Sequence, residues 1–256
     1  MSLLAHIDTR LPALPRLGES APETWLTGYL DCDGVVDALA AGALAGVDQA
    51  DAVWTMVAII EPSGGATYWG STRTAAAVTQ AFPYAKTGPS WINHARLNGA
   101  FGTKQGGEIT VTAPTSPALV AVAITVDRTV ADPRMRGQIV SASEAAASNT
   151  ATGAETTFSA DVILASYNGT VPLQGKGWGW FIVLGLPTVS QLRDSLTIPP
   201  WVTWDTATDL VGAWNPAGVY TDGSVYIPDV AEAHGGYRTA VPALVRNGDL
   251  ASVVIP

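Results

Sequence analysis

Carboxylates and aromatic rings are the groups in this sequence that could do chemistry. The glutamates stand at positions 19, 23, 61, 108, 144, 155 and 232, each isolated from the rest. A retaining glycoside hydrolase needs an acid and a nucleophile about 5–5.5 Å apart. Alternate positions on one strand supply that distance, because their side chains share a face. No Glu-x-Asp spacing that would do so occurs here. Of the three histidines, His6 lies in the N-terminal tail, and none accompanies a Gly-x-Ser-x-Gly elbow. His94, in Trp91-Ile92-Asn93-His94, reads as a loop or core residue bonded to backbone, and His234, before Gly235-Gly236, as a turn residue. Gly64-Gly65 and Gly106-Gly107 read as hairpin turns rather than phosphate cradles. The expectation is a protein that is not an enzyme.

Asp31, Asp33 and Asp37 surround Gly34 like the start of an oxygen-ligand loop. An EF-hand also needs a ligand at its fifth position and a bidentate acid at its twelfth. Counted from Asp31 these are Val35 and Gly42, so that loop is excluded. Asp33-Gly34 suits a turn in which the carboxylate bonds nearby amides.

Aromatic rings form the second group. The chain has nine tryptophans. Rings bind sugars by covering the apolar face of a pyranose while polar neighbours read the hydroxyls. Residues 67–98 hold Tyr68, Trp69, Arg73, Tyr84, Trp91, Asn93 and Arg96 among glycines and prolines. Trp69, Arg73, Tyr84, Trp91, Asn93 and Arg96 are the candidate carbohydrate-binding residues on a loop surface. The competing reading is that these rings plug the end of the fold. Trp178 and Trp180 alternate within an apolar run and read as core. Trp201, Trp204 and Trp214 suit a subunit interface, where tryptophan is enriched.

Composition narrows the classes. The 256 residues are 47% hydrophobic and 14% charged, enough to bury a core and too apolar for wholesale disorder. Acidic residues outnumber basic ones 22 to 13, for a formal charge of −9. No basic footprint for nucleic acid is present. The single cysteine, Cys32, excludes an intramolecular disulfide and a cysteine-based zinc site. The N-terminus breaks at His6 and Asp8, and Pro12 and Pro15 follow, so no signal peptide is expected; no apolar run reaches the about 20 residues of a membrane span. The expectation is a chain without membrane insertion.

The elements that must position these groups read as short strands. The 26 glycines and 17 prolines are spread along the chain and cut it into brief segments. Strands are expected at 27–32, 53–60, 66–71, 108–113, 118–126, 136–142, 158–167 and 178–184. Val53–Ile60 is apolar on both faces, so it should be central. Glu108–Ala113 alternates as a half-buried strand does. In 178–184, Trp178, Trp180, Ile182 and Leu184 should share one face, opposite Phe181 and Val183. Residues 35–47 are alanine-rich with two weakening glycines, so a loop and a short helix both fit. Thr188–Leu196 reads as a helix capped by Thr188 and stopped before Pro199-Pro200. Ala145–Gly153 reads as a flexible loop.

The order of these segments resembles the LamG-like, concanavalin A-type lectin–glucanase jelly roll. Four stretches carry the resemblance: Leu30–Asp37, Val53–Pro62, Pro117–Arg128 and Val162–Leu184, with Thr188–Leu196 in place of the short terminal helix. Val36 departs from the Asp-Asp pair usual in the first stretch. The resemblance implies an all-β antiparallel sandwich over residues 25–198, preceded by an arm at 1–24. A small C-terminal β appendage would follow at 199–256. No cofactor is expected; the alternative is calcium at Asp31, Asp33 and Asp37, because some laminin-like jelly rolls bind it on a loop rim.

The function expected is a non-enzymatic structural and glycan-binding component of a bacteriophage particle, at a tail tip, fibre or capsid surface. Its partners would be copies of itself, other virion proteins and a host cell-surface glycan, with no nucleic acid. The alternatives are a free lectin-like protein and a divergent glycoside hydrolase. Residues 201–256 carry six large aromatics and no long periodic element. They must bury against the sandwich in cis or another subunit in trans, and a homo-oligomer is expected.

Overall fold

Long apolar strands build the centre of the molecule. The computed structural model describes residues 25–33, 38–43, 53–62, 70–73, 78–85, 90–98, 108–112, 119–127, 129, 134–142, 147–152, 161–164, 166–167, 171–204, 208–216, 220–221, 225–227, 243–246 and 253–254. In chain order the strands are β1 (Tyr29–Asp33), β2 (Ala38–Ala43), β3 (Val53–Pro62), β4 (Gly70–Arg73), β5 (Val78–Ala85), β6 (Ser90–Asn98) and β7 (Glu108–Thr112). They continue as β8 (Val120–Asp127), β9 (Arg134–Ser141), β10 (Ala147–Thr152), β11 (Asp161–Leu164), β12 (Ser166–Tyr167), β13 (Val171–Pro172) and β14 (Gln174–Leu184). Two short helices follow, α1 (Val189–Asp194) and α2 (Pro200–Thr203). The last strands are β15 (Leu210–Trp214), β16 (Tyr220–Thr221), β17 (Val225–Ile227), β18 (Ala243–Arg246) and β19 (Val253–Val254).

The fold is all-β and antiparallel. One eight-stranded sheet runs β10-β9-β8-β3-β14-β1-β19, with β15 also paired to β14. A six-stranded sheet runs β16-β17-β18-β2-β11-β4, and β5-β6-β7 form a third. The eleven-residue β14 is long enough to serve two partners along one edge. Its first half pairs with β1 and its second half with β15, while β3 lines the other edge.

Both faces of the large sheet are buried around β3, as its unbroken apolar sequence predicts. Trp54, Met56, Ala58 and Ile60 are fully buried, and so are Val57 and Ile59 between them. One face carries a cross-strand row of Ala213, Phe181, Val57 and Ala123. Trp25, Leu192, Leu196 and Trp204 pack into the same cluster. The small residues Ala121 and Ala123 on β8 help make room there for α1, which packs against β8 and β9. Each large side chain buried this way contributes roughly 1.5–3 kcal/mol.

Helix α1 forms where its cap demands. Thr188 accepts a hydrogen bond from the Gln191 amide, and the Gln191 side chain accepts one from the Thr188 amide. This reciprocal box satisfies two amides that would otherwise lack partners. Arg193 then donates to the Ser141 carbonyl at 3.3 Å, tying the helix to β9. The chain reaches α1 through Gly185, whose φ of 91° favours glycine. Thr55 holds this corner: its hydroxyl donates to the Gly185 carbonyl at 2.7 Å. With that proton committed, Thr125 must be the donor in the 2.8 Å bond between the two threonines. Replacing Thr55 with Val keeps the shape and removes both bonds. The variant should lose about 1–3 kcal/mol in urea unfolding, because the abandoned partners are largely shielded from water; an unchanged midpoint would exclude this pin.

Several segments differ from expectation. Residues 38–43 are neither loop nor helix but strand β2, held between β11 and β18. Pairing on both edges overrides the weak helix preference of a run that contains glycine. Ala147–Thr152, expected as a flexible loop, pairs with β9 as edge strand β10. Residues 78–85 and 90–98, expected as loop, pair as strands β5 and β6. A register shift between Gly177 and Gly179 moves Trp178 out of line with Trp180. Trp178 is consequently only partly buried, and it packs against the Phe181 cluster.

The described strands of the C-terminal stretch pair in cis. β15 pairs with β14, β18 with β2, and β19 with β1. Trp204, Leu210, Val211 and Trp214 are all buried within this one chain.

Candidate functional site

The described polar side chains that gather beside aromatic rings lie where β1, β14 and β3 run side by side. Strand β1 alternates: Leu30 and Cys32 are buried, Tyr29 is half-buried and Asp31 is exposed. Asp31 stands opposite Lys176 on β14, and Lys176 stands opposite Glu61 on β3. One ammonium therefore occupies the register position between two carboxylates. Lys176 Nζ donates to Glu61 Oε1 at 3.2 Å, with the two side chains 36% and 22% exposed. The same Nζ lies 5.0 Å from the centre of the Tyr29 ring, a cation–π contact. Tyr29 in turn meets Trp178, with ring centres 4.8 Å apart and planes inclined at 48°. The indole Nε1–H of Trp178 is buried and meets no acceptor among the described residues.

The bulge in β14 makes this cluster. Without the shift at Gly177-Trp178-Gly179, Trp178 would lie in line with Trp180. The two glycines permit the shift because ring atoms crowd them: a Cβ on Gly177 would sit 2.2 Å from Trp180, and one on Gly179 would sit 2.4 Å from Trp25.

Lys176 is held above the ordinary lysine value, first by its hydrogen bond to Glu61 and next by the Glu61 charge, with smaller help from Tyr29 and Asp31. Partial desolvation opposes the shift. A raised folded-state value means that the pairing is fully present below the usual lysine range and is lost as pH rises through the raised value. At neutral pH the lysine is charged and committed to Glu61. The cluster thus offers two partly exposed rings, one ammonium and two carboxylates, which can bind a ligand having both an apolar face and hydroxyls.

Of the residues singled out from sequence, Asp31 belongs to this cluster and the carbohydrate-binding candidates fall elsewhere. Arg73 ends β4, beside β5. Tyr84 lies on β5, and Trp91, Asn93 and Arg96 lie on β6. Trp91 pairs with Ala85, Tyr84 with Ile92 and Asn93 with Pro83, so these three occupy consecutive rungs of one hairpin. Arg96 pairs with Gln80 three rungs on. The side chains of these residues, and Trp69 entirely, lie outside the described part. Asp31 and Asp33 belong to strand β1, in register with Lys176 and Gln174, while Asp37 lies outside the described residues. Among the described residues, no group of three or more His, Cys, Asp or Glu is placed to hold a metal. No helix among them is long and apolar enough to cross a membrane.

Sequence reasoning assigned Tyr29, Glu61 and Lys176 to no site, and it read Trp178 as core. Glu61 and Lys176 meet across 115 positions, and only strand pairing reveals it. The available signal was the rarity of lysine, which occurs three times in the chain. No protein-family model matches the chain, and the search of curated proteins finds no match.

Proposed function

We propose that the chain is a non-enzymatic jelly-roll module that binds glycan and serves as a structural component of a bacteriophage particle, at a tail tip, fibre or capsid surface. The observation that carries the binding half is the Tyr29–Trp178 pair with Lys176, Glu61 and Asp31 around it. Rings of this kind cover sugar C–H surface, and the charged groups read hydroxyls. The jelly-roll assignment is supported by two multistranded antiparallel sheets and by burial of both faces of the larger one. Binding without turnover is supported by the row itself. Lys176 separates the two acids and engages Glu61, whereas a retaining pair needs neighbouring carboxylates about 5–5.5 Å apart. The particle half rests on composition: acidic, with a single, buried cysteine.

Binding is tested on a glycan array and then by calorimetry with the best oligosaccharide. Tyr29→Ala and Lys176→Ala should each weaken it about tenfold, a loss of about 1.4 kcal/mol, while the thermal transition persists. Undiminished affinity in both variants removes the site. Sedimentation of the native chain with megadalton particles supports the virion reading, and sedimentation as a free species supports the free lectin instead.

A further inference from the structure

The charges around the ring pair select among glycans. We infer that the β1–β14–β3 surface takes sugars bearing a free amino group in preference to neutral ones and excludes uronates. This inference rests on the glycan-binding reading above.

The face of Tyr29 carries an ammonium 5.0 Å from its centre, so the ring accepts a cation. That ammonium is spent on Glu61 at 3.2 Å. The remaining carboxylate, Asp31, is exposed on β1 directly opposite Lys176. Two acids against one base leave the cluster with a net negative charge, on a chain whose formal charge is −9. A ligand carboxylate would meet Asp31 and Glu61 as like charges. A protonated amino group would meet Asp31 as an opposite charge and the rings as a favourable quadrupole. A neutral hydroxyl gains neither. Exposed charge pairs and exposed cation–π contacts are each modest, so the expected preference is about five- to tenfold rather than thousands.

The experiment uses the full chain and three oligosaccharide probes of equal length: glucosamine, N-acetylglucosamine and galacturonate oligomers, compared by calorimetry. At low salt the glucosamine oligomer should bind about five- to tenfold more tightly than the acetylated one, and the galacturonate oligomer most weakly. The preference should collapse at about 1 M salt, where the screening length falls to about 3 Å. Asp31→Asn should bring the ratio of the first two close to one. Equal binding of the three probes, tightest binding of galacturonate, or a preference that survives Asp31→Asn overturns this inference and leaves the glycan reading standing. Binding of no oligosaccharide, on the array or here, overturns both.

Discussion

Removing residues 199–256 is expected to abolish cooperative folding, not merely assembly. A separable appendage would leave the sandwich intact when cut away, and the pairing in the large sheet argues otherwise. β15 hydrogen-bonds directly to the second half of β14, with Trp214 opposite Trp180 and Ala213 opposite Phe181. Trp204 packs on Phe181 with ring centres 5.0 Å apart, and Trp201 meets Trp25. The cut strips Trp204, Leu210, Val211 and Trp214 from the core, all buried. At roughly 1.5–3 kcal/mol each, four such side chains rival the entire stability of a typical domain, about 5–15 kcal/mol. The truncated chain should lack a sharp thermal transition and expose the apolar edge of β14. The milder Trp214→Ala should fold and lose about 3–5 kcal/mol. A truncated chain with a normal cooperative melt would show that the core closes without β15.

The elements legible in the sequence are those whose own pattern decides them. β3 and β8 are apolar where the large sheet buries them, and β7 has the period-two alternation of a strand. Thr188 and Gln191 announce the start of α1, because capping needs only residues three apart. The elements missed are those decided by a distant partner. β2 is a strand because β11 and β18 hydrogen-bond to it, and nothing in its alanines says so. β10 carries serine, asparagine and threonine, so it reads as loop until β9 supplies a ladder. The same reason hid most of the candidate site. Asp31 was visible as a carboxylate near a glycine, which invites a metal reading. Its register position opposite Lys176 gives it another neighbour. Glu61 looked isolated because the cation that holds it is far away in sequence. Trp178 looked like core because period-two alternation cannot foresee a bulge. The two glycines around it were the only local hint, and a bulge is one of several meanings a strand glycine can have.

The Trp25–Gly179 contact predicts a large loss of stability, with a distinctive non-additivity. Trp25 stands at the start of the described chain, yet it is 1% exposed. Its Nε1–H donates to the Ser195 carbonyl at 3.1 Å, and its ring meets Phe181 and Trp201 edge-on. Held on three sides, the ring has little freedom to yield. A Cβ on Gly179 would lie 2.4, 2.6 and 3.2 Å from three of its atoms. Gly179→Ala should therefore cost about 3 kcal/mol, the upper end for overpacking. Trp25→Ala should cost about 3–5 kcal/mol, from lost burial and the cavity left behind. The two losses should not add. Once the ring is gone, the new methyl has room, and alanine is favoured over glycine in a strand by roughly 0.5–1 kcal/mol. Gly179→Ala should then be neutral or slightly stabilising in the Trp25→Ala background. The coupling measured in a double-mutant cycle by urea unfolding should reach about 3 kcal/mol, the top of the range for residues in contact. An equal cost in both backgrounds would show that something other than the indole ring keeps position 179 a glycine.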